Sequence, residues 1–108
     1  MYSPTQYQRE ENVGSTRIRC VLAHDHVLLR QGLRRLLEDQ PDIEVVAEAG
    51  NAAEAIQRVF EHRPEIVIAD ASIFGCAPSQ AEWLILQESP LSKVLFLGMP
   101  AGEKTTPC

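Results

Sequence analysis

The sequence predicts an α/β protein built on a parallel sheet, and two patterns carry that prediction. Short apolar runs alternate with stretches whose apolar residues recur every three or four positions, the habit of strands joined by crossover helices. Two of those runs, Ile18 to Ala23 and Ile66 to Ala69, are followed by acidic residues, Asp25 shortly after the first and Asp70 directly after the second. Continuous apolar runs of this length read as strands buried on both faces, and their carboxyl ends form the edge where open α/β sheets bind ligands.

Each element follows in order. Residues 1–15 have almost no aliphatic content and are expected to form a flexible tail before a domain over residues 16–108. Ile18 to Ala23 is the first strand. Val27 to Asp39 is the first helix, with an apolar stripe of Leu29, Leu33, Leu36 and Leu37 ahead of the helix-breaking Pro41. Arg30, Arg34 and Arg35 read as its solvated face. Ile43 to Ala49 is the second strand, and the alternation of Glu44 and Glu48 with Ile43, Val45 and Ala47 suits a sheet edge.

Asn51 followed three residues later by Glu54 resembles a capping box, opening a helix that should bury Ala52, Ala55, Ile56, Val59 and Phe60 and end before Pro64. Ile66 to Asp70 is the third strand. Ser79 to Gln87 is a third helix containing Trp83, Leu84 and Leu86, with Trp83 expected as partly buried packing. Lys93 to Met99 is the fourth strand, and the pattern offers no fifth strand or later helix beyond it.

Composition narrows the function classes. The 108 residues suit one domain, and 44% hydrophobic with 23% charged residues is ordinary globular usage. A net charge of -5 opposes attraction to phosphate backbones, so direct nucleic-acid binding is not expected. The chain has no apolar run of membrane-spanning length and no charged-then-apolar leader pattern, which predicts a cytoplasmic protein without a membrane role. Cys20, Cys76 and Cys108 are widely spaced without a CxxC pair; Cys20 reads as core and the other two as incidental.

If the first and third strands are neighbours, Asp25 and Asp70 converge at a switch point of the sheet. Two carboxylates in one crevice repel unless neutralised, and a hard divalent cation such as Mg²⁺ answers that with oxygen ligands and retained waters. A carboxylate can also be the nucleophile toward a phosphoryl group. The competing reading of either aspartate is a cap or turn residue. A rival site is a nitrogen and oxygen set of His24, His26 and Asp70 for a transition metal. A glycine-rich phosphate loop is absent.

Three segments together resemble a known family. The stretch from Ile18 through His24-Asp25-His26 to Leu33, then Pro41 to Asn51, then Arg63-Pro64-Glu65 to Asp70, are similar to the receiver domain of bacterial two-component response regulators, in the branch whose receivers precede a LuxR-type helix-turn-helix. The likeness runs from about Ile18 to Met99. It implies a flavodoxin-like sheet of about four strands with helices on both faces, lacking the family's fifth strand and last helix. It further implies a phosphorelay signalling module rather than an enzyme, taking a phosphoryl group from a sensor histidine kinase. Asp70 matches the phosphoacceptor, Asp25 one of the acidic residues that hold Mg²⁺ with it, and Ser72 a metal ligand acting through its backbone carbonyl.

The departures from the family pattern have consequences of their own. His24 stands where a first acidic residue is usual, which should weaken Mg²⁺ binding. Phe74 replaces a common proline, and Ala77-Pro78 a typical Asp-Gly. Gly98 occupies the place of a Ser or Thr whose hydroxyl bonds the phosphoryl group, so the switch contact is missing. Lys104 follows Gly98 too closely to stand for the family's lysine. Weakened phosphotransfer is therefore expected, with a phosphorylation-independent protein-interaction role as the alternative. Val94 to Leu97 would form an open sheet edge that could pair with a second copy.

Overall fold

The computed structural model describes residues 17–98, so the expectations for residues 1–15, Met99 and Lys104 lie outside the described residues. Four strands, β1 (Ile18–Ala23), β2 (Ile43–Ala49), β3 (Ile66–Asp70) and β4 (Lys93–Leu97), form one sheet in the order β2-β1-β3-β4. Every adjacent pair is parallel. The crossovers are α1 (Val27–Glu38), α2 (Ala52–His62) and α3 (Pro78–Glu88), and a 3-10 turn, Ala71–Phe74, follows β3. The chain moves outward from β1 to β2 and then back to β3, so right-handed connections place α1 on one face and α2 with α3 on the other.

Local chemistry starts and stops these helices. The Asn51 side chain accepts from the Glu54 N–H at 2.9 Å, and the Glu54 carboxylate accepts from the Gly50 N–H at 2.9 Å, so the expected capping pair forms one residue wider than the standard box. Arg63 ends α2 in the left-handed conformation at φ 45°. Pro78 opens α3, where a missing N–H costs nothing.

The core lies on the α2 and α3 side. Val21, Ala23, Val67 and Ala69 of the two central strands meet Ala55 and Val59 of α2 and Ile85 of α3, all essentially inaccessible to solvent. Full burial of a side chain the size of Ile85 contributes about 1.5–3 kcal/mol. Two expectations for these helices fail: Trp83 is 61% exposed and Phe60 54%. The α3 stripe follows the buried residues Ala81, Ile85 and Ser89 at intervals of four, and Trp83 sits half a turn away from it. Phe60 instead lies beneath the Arg63 guanidinium, 5.4 Å from its ring centre.

The other face is thinner. Cys20 and Leu22 are buried there, but α1 has no buried residue, and Leu29 and Leu36 of its predicted stripe are exposed while Leu33 and Leu37 are half-covered. Among the described residues, α1 is the only helix on that face. Burial pushes the Cys20 thiol up to about 11. Cys76 is buried, and Cys108 lies outside the described residues.

An irregularity in β2 reorganises the edge. Cys20 pairs with Val45, yet Val21 pairs with Ala47, so Val46 is an extra residue and Glu48 falls opposite Leu22. Partners in a parallel pair face the same way, so the shift turns Glu48 toward α1. There its carboxylate accepts from Arg30 Nε at 2.8 Å, from Gln31 Nε2 at 2.7 Å and from Arg34 Nη1. Arg30 and Arg34 are therefore not a merely solvated face; Arg30 and Glu48 are each about 15% exposed in their side chains.

Candidate functional site

The pairing of Ala23 with Ala69 brings the carboxyl ends of β1 and β3 side by side, and the next residues are His24 and Asp70. This is the point where consecutive strands run to opposite sides of β1, the expected place for a site. Asp70 ends β3 and opens the 3-10 turn, its Oδ1 accepting from the Ser72 N–H at 3.0 Å. Gly75 closes that turn at φ 69°, a conformation suited to glycine. Asp70 thus serves as a cap, the competing reading, while the side chain remains 19% exposed at the edge.

His24 is the member whose part the residue pattern understated. Its side chain is only 10% exposed and stands between the two aspartates, with Nε2 3.3 Å from Asp70 Oδ2 and Nδ1 3.4 Å from Asp25 Oδ1. The backbone N–H of His26 donates to Nδ1 at 3.0 Å. In a neutral imidazole an acceptor at Nδ1 leaves the proton on Nε2, facing Asp70. Both ends of the residue are held, since its N–H donates to the Ala49 carbonyl at 3.0 Å and its own carbonyl accepts from Arg30 Nη1 at 2.7 Å. Glu48 fixes that arginine, which links the β2 irregularity to the site.

Asp25 is 66% exposed in its side chain and reaches the cluster at its solvent side. Ligand atoms of His24, Asp25 and Asp70 all lie within 4.8 Å of one another. The two carboxylates suit a hard cation such as Mg²⁺ in kind, and the imidazole does not. Ser72 enters through its N–H; its carbonyl accepts from the Gly75 N–H at 3.2 Å and keeps a second lone pair. His26 is the N-cap of α1, its Nδ1 accepting from the Leu29 N–H at 3.2 Å, which removes it from the rival nitrogen and oxygen set.

Gly98 follows β4 beside this cluster. A Cβ placed on it would sit 3.6 Å from Asp70 Oδ1, in ordinary contact, but its φ of 98° is one that side-chain-bearing residues rarely adopt. The glycine therefore sets a backbone that a serine or threonine would not readily follow.

Comparison with known proteins agrees with this geometry. No protein-family profile matches the chain. It is 40% identical over 83 residues to the oxygen regulatory protein NreC of Staphylococcus epidermidis, covering 76% of this chain and 38% of that protein. Among solved structures it is similar to a LuxR-family two-component response regulator from Aurantimonas sp. SI85-9A1, at 36% identity and a TM-score of 0.67, over 74% of this chain and 57% of the other. It is likewise similar to the signal receiver domain of a response regulator named NarL from Mycobacterium tuberculosis, at 27% identity and a TM-score of 0.68, over 79% of this chain and 71% of that one. The parallel sheet with its switch-point aspartate is that of a flavodoxin-like receiver domain. The chain belongs to the receiver domains of NarL-type two-component response regulators, and it spans well under half the length of curated relatives it matches.

Proposed function

We propose that the chain is a phosphorelay receiver in which Asp70 takes a phosphoryl group from a sensor histidine kinase. The observation that carries this reading is Asp70 itself, a partly exposed carboxylate at the switch point, oriented by the Ser72 N–H. In the transfer, an Asp70 carboxylate oxygen forms the new P–O bond as the P–N bond to the donor histidine breaks, and that nitrogen keeps its electron pair. Such transfers depend on positioning and on neutralising the phosphoryl oxygens. Asp25, Asp70 and the Ser72 carbonyl are the groups that would hold Mg²⁺, which supplies that neutralisation when bound. His24 and Gly98 predict a weak response, with no side-chain hydroxyl to answer phosphorylation. The setting proposed is cytoplasmic, with transcription affected through protein partners rather than by DNA contact from this acidic chain. No helix among the described residues is long and apolar enough to cross a membrane.

The test is incubation with Mg²⁺ and a small phosphodonor, followed by intact mass. One base-labile phosphoryl adduct that vanishes in Asp70→Asn supports the reading, and no adduct at saturating donor overturns it.

A second reading, a phosphorylation-independent interaction domain, draws on the sheet edge. Among the described residues β4 pairs only with β3, and Leu95 is 56% exposed on it. Self-association through this strand should appear in sedimentation as a mass that rises with concentration, and a monomer at every concentration would count against it.

A further inference from the structure

We infer that His24 is more than a missing metal ligand: its Nε2–H stands against the Asp70 carboxylate and would compete with Mg²⁺ for it. The inference concerns the same site as the proposed phosphotransfer and rests on that reading for its biological sense, but its physical content is separate. Three observations support it.

First, the acceptor role of Nδ1 toward the His26 N–H fixes the ring proton on Nε2, and Nε2 lies 3.3 Å from Asp70 Oδ2. In that tautomer the ring turns an N–H, not a lone pair, toward Asp70, at close approach without forming an aligned hydrogen bond. Second, Asp70 Oδ1 is already engaged by the Ser72 N–H, and the His24 ring stands against Oδ2, so neither oxygen is approached without meeting a protein group. Third, the ring is nearly buried and cannot swing away cheaply. Its backbone is tied to Ala49 and to Arg30, which Glu48 holds in turn. A cation must therefore displace a nearly buried ring N–H that stands against Oδ2, and affinity falls by the cost of that displacement as well as by the lost oxygen ligand. His24 acts as a positioning residue that decides how far Asp70 is available to a cation.

Competition and simple ligand loss predict different mutant series. His24→Asn keeps a carbonyl oxygen where Nδ1 accepts from His26 but has nothing that reaches Asp70, while His24→Gln extends an amide donor to where Nε2 stands. His24→Ala removes both. Relief of one weak buried contact should tighten Mg²⁺ binding about three- to tenfold in the Asn and Ala variants. The Gln variant should match the wild type.

The experiment is a titration of MgCl₂ into the ¹⁵N-labelled full chain, following the amide signals of Asp25, Asp70 and Ser72. The ordering Asn and Ala tighter than wild type and Gln supports the inference. Variants that all bind as weakly as the wild type, or more weakly, overturn it, as does the absence of saturable shifts throughout. If the Ala variant does not fold, the Asn and Gln pair carries the same distinction. The phosphoryl adduct is scored separately by mass. An adduct without the affinity series defeats this inference alone, and the series without an adduct defeats the phosphoacceptor reading alone.

Discussion

Replacing Glu48 with glutamine tests whether the β2 irregularity contributes to stability through the cluster it creates. The Glu48 carboxylate accepts three side-chain donors, two of them guanidinium groups, and its side chain is 15% exposed. A hydrogen bond to a charged group contributes about 1.5–3 kcal/mol. Glutamine keeps one acceptor oxygen for Arg30 at the strength of a neutral bond and turns an N–H group toward Arg34. The Arg34 side chain is 38% exposed, so its share is discounted for solvent screening. The net loss expected at pH 7 is about 2 kcal/mol. For a domain of this size that lowers Tm by about 10 °C, read by circular dichroism during thermal unfolding. The pH dependence supplies an internal control. Burial pushes the Glu48 carboxyl up, but the hydrogen bonds from Arg34 and Arg30 outweigh it and hold the group below its ordinary value of 4.5. A lowered folded-state value stabilises the fold above the unfolded value and loses that effect as pH falls through the folded one. The gap between wild type and Glu48→Gln should therefore be full above pH 4.5 and close below it. Equal Tm values at pH 7, or a gap unchanged at strongly acidic pH, would refute the reasoning.

Three further outcomes follow from positions the structure fixes. Gly98→Thr should cost about 1–2 kcal/mol through its positive φ, and Gly98→Ala a similar amount; a threonine variant as stable as the wild type in thermal unfolding would show that the backbone there is free to change. Leu22→Ala should cost about 3 kcal/mol while Leu36→Ala costs about 0.5 kcal/mol, a contrast measured by urea unfolding and lost if α1 buries its leucines. The fluorescence of Trp83 should be red-shifted and readily quenched by iodide, and a blue-shifted, protected spectrum would place the indole in the core instead.

Much of the fold was legible because period and punctuation agree along the chain. The four strands, the capping pair at Asn51 and Glu54 and the break at Pro64 each rest on local signals that tertiary packing had no reason to overturn. Trp83 and Ile85 show where a local signal misleads. Size favours burying the tryptophan, but the phase set by Ala81 and Ser89 selects Ile85, and phase prevails because a helix has only one face to give the sheet. Glu48 was illegible for a different reason, since alternation is a rule for unbroken strands and one extra residue, Val46, reverses it downstream.

The candidate site divides along the same line. Asp25 and Asp70 were readable from strand ends alone, because their placement depends only on where two apolar runs stop. The part played by His24 depends on which ring nitrogen the His26 amide engages, a contact between residues two apart that no spacing rule encodes. That contact also ties the site to the sheet edge. The β2 irregularity turns Glu48 toward Arg30, Arg30 holds the His24 carbonyl, and the ring so held faces Asp70. A change at Glu48 should then loosen the imidazole and move the Mg²⁺ affinity toward that of His24→Asn, even though residue 48 touches neither aspartate. The metal response of Glu48→Gln, measured by the same amide titration, separates a coupled site from an isolated one: unchanged affinity in a destabilised variant would mean that the arginine link is structural only.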